Sequence, residues 1–152
     1  DGLNGGKYRS AAAVAELVEQ VWAAGPERRL VVVTGGEPML QLDEALIDAL
    51  HQRGFRVAVE SNGTLPATPG IDWLCISPKG GTDVVQRSGD ELKLVWPQDG
   101  IDPEALERWD FSHHLVQPMD GPEGSVQAAI ALAMNRPKWR LSLQAHKVVG
   151  LA

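Results

Sequence analysis

The chain has 152 residues, enough for one domain with a real core, and its 43% apolar and 22% charged composition is ordinary for a globular protein. A net charge of -6 argues against a general nucleic-acid binder, which would carry a basic stripe, but leaves room for a small anionic ligand held locally. No apolar run approaches membrane-spanning length, and the one cysteine, Cys75, excludes an internal disulfide and any cysteine-ligated metal site built from these residues alone. Cys75 lies in the apolar run Trp73-Leu74-Cys75-Ile76 and reads as a buried strand residue. A cytoplasmic setting is expected. The chain starts at Asp1 with neither methionine nor signal peptide, which reads as a piece of a longer protein.

In chain order, Val14, Leu17, Val18 and Val21 recur at helical spacing, with Ser10 as N-cap and Gly25-Pro26 as a stop. Leu30 to Val33 is an apolar run rich in β-branched valine, the pattern of a strand buried on both faces. The next run, Thr34-Gly35-Gly36-Glu37-Pro38, is the most informative in the chain. Two glycines remove side chains where a strand ends, so a ligand can lie against bare backbone. Glu37 puts a carboxylate beside that backbone, suited to an ammonium group, and Pro38 fixes the turn. Asp43 caps a second helix through Leu46, Ile47 and Leu50, ending at Gly54. Phe55 to Glu60 alternates as a strand, and Trp73 to Ser77 is another. Glu91 to Trp96 follows the turn signal Ser88-Gly89-Asp90. Asp102-Pro103 opens a short helix. His114 to Gln117 is the fifth strand. Ser125 caps a helix presenting Val126, Ala129, Ile130, Ala133 and Met134 on one face, ended by Asn135 and Pro137. Trp139, Leu141 and Leu143 alternate as a sixth strand. The alternation predicts an α/β fold with a mostly parallel sheet, open or curled into a partial (β/α) barrel, over a single domain spanning 1–152.

Polar groups recur where these strands end: Thr34 to Glu37, Glu60-Ser61-Asn62-Gly63, Ser77-Pro78-Lys79, Gln117-Pro118-Met119-Asp120 and Gln144-Ala145-His146-Lys147. In parallel α/β folds these ends meet at one rim, where ligands bind. Taken singly, each has a milder role. Asn62-Gly63 makes a tight turn, Lys79 a solvated loop lysine, Glu60 a carboxylate reaching water and His146 a surface histidine. His113 and His114 are adjacent on a strand, so they point to opposite faces and form no joint metal site.

TGGEP after a buried strand resembles the S-adenosylmethionine (SAM) motif of the radical SAM superfamily. VESNGTLP, DWLCISPKGGTDVV, RSGDELKLVWPQ, LVQPMDGP and RLSLQAHKVVGL together resemble the 7-carboxy-7-deazaguanine synthase family, and DGLNGGKY is similar to a segment just after that family's cluster-binding loop. The likeness runs end to end. It implies a radical SAM partial barrel lacking its N-terminal part. In that family Gly35, Gly36 and Glu37 would hold the methionyl end of SAM, Ser77, Pro78 and Lys79 its ribose and carboxylate side, and Gln117, Pro118, Met119 and Asp120 its adenine end. Thr34, Glu60, Asn62 and His146 would face a pterin substrate, with the C-terminal carboxylate of Ala152 on it as well.

The implied reaction is ring contraction of 6-carboxy-5,6,7,8-tetrahydropterin to 7-carboxy-7-deazaguanine with loss of ammonia. It is initiated when a 5′-deoxyadenosyl radical from SAM takes hydrogen from C6. A [4Fe–4S] cluster, Mg²⁺, an electron donor such as flavodoxin and a homodimer come with the resemblance, as does a place in 7-deazapurine (queuosine) biosynthesis. The family's three cluster cysteines and its Mg²⁺ ligands are not in this sequence, so no metal ligand and no certain catalytic residue is assigned, and the 152 residues are expected to lack turnover alone. Alternatives are another radical SAM enzyme, such as a glycyl-radical activase, or an inactive SAM-binding fragment.

Overall fold

The computed structural model describes residues 5–145 and 149–150. Helix α1 (Ala11–Val21) opens at Ser10, whose hydroxyl accepts from the Ala13 N–H at 3.2 Å. Strand β1 (Leu30–Val33) runs through the two glycines into a single 3-10 turn at Pro38–Leu40 and then α2 (Glu44–His51), capped by Asp43. Strands β2 (Arg56–Ser61), β3 (Trp73–Ile76) and β4 (Ser88–Trp96) follow. The chain continues through α3 (Pro103–Leu106), β5 (Asp110–Pro118), α4 (Ser125–Asn135) and β6 (Trp139–Leu141).

The six strands form one sheet in the order β1-β2-β3-β4-β5-β6, and every pairing is parallel. Spatial order equals chain order. Right-handed crossovers that always step the same way stack their helices on one face, which is the winding of a barrel rather than of a doubly wound sheet. Since β1 and β6 are not neighbours, the barrel is partial.

One sheet face makes the core. Val57 and Val59, Leu74 and Ile76, Leu92 and Leu94, and Val116 pack with Ile47 and Leu50 of α2 and Ala129 of α4. Each buried Val, Leu or Ile side chain contributes about 1.5–3 kcal/mol by leaving water, and Ala129 less. The other face carries the alternate residues, and the register places Glu60, Cys75, Glu91 and His113 side by side across four strands.

Five expectations are corrected. Among the described residues β1 pairs with β2 alone and lies at the edge of the sheet, with Leu30 48% and Val32 52% exposed rather than buried on both faces. Ser88-Gly89-Asp90 is not a turn but the start of β4, where a side chain on Gly89 would stand 3.1 Å from the Leu74 carbonyl and Asp90 accepts from the Leu74 N–H. Gly124, left-handed at φ 83°, is the N-cap of α4, while Ser125 lies inside it and donates to the Pro122 carbonyl. On α4 only Ala129 of the five expected face residues is fully buried and Ala133 is half-buried; Val126, Ile130 and Met134 are exposed, and Leu132, outside the expected face, packs on the core instead. The fifth strand is also longer than expected, starting at Asp110.

His113 and His114 do face opposite ways. His113 stacks on Trp73 with centroids 5.5 Å apart, and His114 meets Trp139 edge-on in the core. Burial first, then Lys138, hold the His114 pKa below its ordinary value, and its Nε2 has no partner. The unfolded chain therefore binds a proton near pH 6.5 that the folded chain resists. Stability is expected to fall as pH drops through that value, by at most roughly 1.4 kcal/mol per pH unit for this group. A His114→Gln variant should lose that acid limb, read as the change in thermal midpoint between pH 7 and pH 5. Gly63 is a second test. It holds φ +77°, and an added Cβ would stand 2.8 Å from both Ile76 Cγ2 and Val84 Cγ1. Gly63→Ala should cost about 1–3 kcal/mol in urea unfolding.

Candidate functional site

The parallel sheet brings the carboxyl ends of its strands together, and there a cavity of about 290 Å³ opens. Thr34, Gly35 and Gly36 line it after β1, Glu60, Ser61 and Asn62 at the end of β2, and Ser77 and Lys79 after β3. Lys93 and Val95 come from β4, Gln117 from β5 and Gln144 from the segment after β6.

The glycine edge is open for want of side chains, not for want of space. A Cβ built on Gly35 or Gly36 meets nothing within 4 Å, although φ 124° at Gly35 restricts it to glycine. At Gly36 the fold itself makes no demand for a missing side chain.

Glu37 holds this edge in place. Its Oε1 accepts from the Ser61 hydroxyl at 2.8 Å and from the Met39 N–H at 3.0 Å, and its Oε2 accepts from the Asn62 N–H at 2.8 Å. The carboxylate thus ties the turn after β1 to the end of β2, and Glu37 is not among the residues lining the cavity. Asn62 spends its side-chain oxygen on the backbone N–H and hydroxyl of Thr64, at 2.8 and 2.7 Å. What it can offer a ligand is its amide nitrogen, a donor.

The charged lining is Glu60, Lys79 and Lys93, so the cavity carries one net positive charge in a chain of net charge -6. Lys79 donates to the Ser77 hydroxyl at 2.8 Å. Desolvation, and then the neighbouring Lys93, lower its pKa from the usual lysine value. Lys79 also borders a second cavity of about 300 Å³ toward α3, lined by Arg87, Asp102 and Trp109 among others.

Of the expected site residues, Thr34, Gly35, Gly36, Glu60, Asn62, Ser77, Lys79 and Gln117 meet in the one cavity. Pro78 is fully buried and lines the second cavity. Pro118 and Asp120 do not line the first cavity, nor does Met119, whose N–H donates to the Trp96 carbonyl at 2.8 Å and which borders a separate cleft with Pro97 and Gln98. His146 and Ala152 lie outside the described residues. Ser61 and Gln144, read from the sequence only as rim groups at their strand ends, also line the first cavity, while Lys93 and Val95 were missed by sequence reasoning. Lys93 had a signal, a lone charge between Leu92 and Leu94 in an apolar strand.

The chain's sole cysteine is structural in its setting. Cys75 is buried on β3, its thiol 3.3 Å from Glu91, and desolvation followed by that carboxylate pushes its pKa up. No group of three His, Cys, Asp or Glu side chains able to hold a metal occurs among the described residues. None of their helices is long and apolar enough to cross a membrane.

No family model matches the chain. It is similar to 7-carboxy-7-deazaguanine synthase of Caulobacter vibrioides, with 54% identity over 99% of this chain and 73% of that protein. With the enzyme of the same name from Bordetella pertussis it shares 52% identity over the same fractions. Among solved structures it resembles the crystal structure of QueE from Escherichia coli, with a TM-score of 0.65 and 30% identity over 87% of this chain and 62% of that one. The chain thus spans about three-quarters of those relatives and somewhat less of that structure. Another radical SAM chemistry, such as a glycyl-radical activase, is not favoured by these names. Identity of that depth, over nearly every residue and on the same partial barrel, makes the chain a member of the 7-carboxy-7-deazaguanine synthase family, enzymes of the radical SAM type.

Proposed function

We propose that these residues form the SAM- and substrate-holding body of a 7-carboxy-7-deazaguanine synthase, a single core domain acting on 6-carboxy-5,6,7,8-tetrahydropterin. The observation that carries this reading is the strand-end cavity, with its bare glycine edge and net positive lining.

The residues present suit SAM. Gly36 leaves open backbone against which a ligand can lie. Lys79 supplies a cation for a ligand carboxylate, steadied by Ser77. Gln117 supplies an amide from the far side of the cavity. In this reading Gly35, Gly36 and the turn that Glu37 braces take the methionyl end, and Ser77 to Lys79 the carboxylate and ribose. Gln117 through Asp120 flank the adenine. When bound, SAM supplies the hydrogen-abstracting chemistry; the protein's task is to bind, orient and exclude water.

Thr34, Glu60 and Asn62 face the pterin. Glu60 is an acceptor and Asn62 a donor, so together they match a heterocycle edge bearing both. A buried polar group left unmet costs about 1–3 kcal/mol, which is the scale on which such a pair rejects a mismatched ring.

The residues present do not suit the [4Fe–4S] cluster, which needs three thiolates where this sequence has one buried thiol. No step is assigned to it within these residues. Mg²⁺ bracing the substrate carboxylate, a reductant such as flavodoxin, a homodimer and a cytoplasmic setting belong to the same proposal, supported by family membership.

The test is turnover by a full-length form that also carries the cluster cysteines these 152 residues lack, supplied with iron, sulfide, SAM, reductant and the carboxy-tetrahydropterin. Appearance of 7-carboxy-7-deazaguanine by mass spectrometry is expected, and its absence from a cluster-loaded sample rejects the reading. Gly36→Val tests the glycine edge separately. It should keep the wild-type thermal midpoint, since nothing lies near the added Cβ, yet weaken SAM binding about tenfold or more by calorimetry.

A further inference from the structure

An ion pair crosses the cavity. Lys93 projects from β4 and Glu60 from β2, with β3 between them, and Lys93 Nζ stands 2.7 Å from Glu60 Oε2. The lysine side chain is only 15% exposed, whereas that of Glu60 is 40% exposed, and both line the cavity. The cation is therefore withdrawn under the ligand space and the anion stands partly in it.

An exposed pair of long side chains contributes little, because water competes for both charges and holding them costs entropy. This pair differs in its anchoring. Each partner is rooted in a paired strand, and with Leu92 and Leu94 buried in the core, Lys93 projects from the opposite face of β4, the face that carries Glu60. A carboxylate bound at one oxygen by a fixed cation loses its rotational freedom and turns a fixed edge to the cavity. It accepts hydrogen bonds and does not donate them.

We propose that Lys93 is a positioning residue. Its ammonium fixes the Glu60 carboxylate as an oriented acceptor, and that orientation selects a heterocyclic substrate presenting ring N–H or amino donors. The proposal rests on the reading that Glu60 faces substrate, and deepens it by naming what sets the geometry of that contact.

The experiment is a double-mutant cycle in a full-length, cluster- and SAM-loaded form that carries the cluster cysteines, using Lys93→Met, Glu60→Gln and the double variant. Substrate affinity is read by calorimetry with 6-carboxy-5,6,7,8-tetrahydropterin, and KM and kcat by product formation. Lys93→Met is expected to raise Kd and KM roughly tenfold, the scale of one hydrogen bond to a charged group, with a smaller change in kcat. In the Glu60→Gln background the same substitution should change Kd less than about twofold, since the carboxylate it positions is gone. Lys93→Arg should recover most of the affinity.

SAM affinity and the thermal midpoint report whether the fold is kept; if Lys93→Met does not fold, Lys93→Gln takes its place in the cycle. An unchanged Kd for the folded Lys93 variant overturns the proposal, as does an equal loss in both backgrounds. Should Glu60→Gln leave substrate affinity intact, the assignment of Glu60 to the substrate falls and Lys93 falls with it. A harmful Glu60→Gln beside a neutral Lys93 variant removes Lys93 alone.

Discussion

Six strands running the same way, each beside its neighbour in the chain, are the constraint on which everything else depends. A parallel strand cannot be followed directly by its partner; the chain must return to the start of the sheet before each new strand begins. All strands therefore finish on the same edge. The core is built by Val57, Val59, Ile76, Leu92 and Leu94 on one face, and these residues fix the register. That register decides which side chains meet at the edge. A slip by one residue in any strand would send its polar end to the wrong face.

The edge is held by a carboxylate acting as a clasp. Glu37 accepts from groups on its own turn and at the end of β2, and so sets the separation between the glycine turn and Asn62. Gly63 continues the same junction, its carbonyl accepting from the Val85 and Gln86 N–H groups and drawing in the segment that leads to β4. The cavity is thus framed by backbone groups satisfied within the protein. The groups left to face a ligand are an acceptor at Glu60, donors at Asn62 and Lys79, and bare backbone at Gly36.

Charge distribution follows the same economy. The protein is acidic as a whole, yet its strand-end cavity holds two lysines and one glutamate. Anionic ligand groups are met by a local field that the bulk charge would not predict. On the other face of the sheet Cys75 and Glu91 share a row with Glu60, so the sole thiol is buried beside a carboxylate, and burial followed by that charge pushes its pKa up.

Much of this was legible in the residues. The alternation of periods from Val14 to Leu143 marked the strands and helices, the TGGEP turn marked the edge of the site, and the recurrence of polar groups after each strand marked the rim. What the sequence misplaced was whatever depended on neighbours in space. β1 reads as doubly buried because its residues are β-branched, but its exposure is set by which strands pair beside it. Gly89 reads as a turn because glycine breaks strands, but here it lets β4 pass close to Leu74. On α4 Val126, Ile130 and Met134 read as part of the packing face, but the helix meets the core through Ala129, Leu132 and Ala133. By itself the sequence determined the elements, their parallel winding and the chemistry carried at each strand end, because those follow from local period and turn residues. Only the tertiary structure decided that Glu37 is spent on the backbone of β2 and that Lys93 reaches Glu60 across β3, because side chains far apart in the chain find partners only once the sheet register has brought them together.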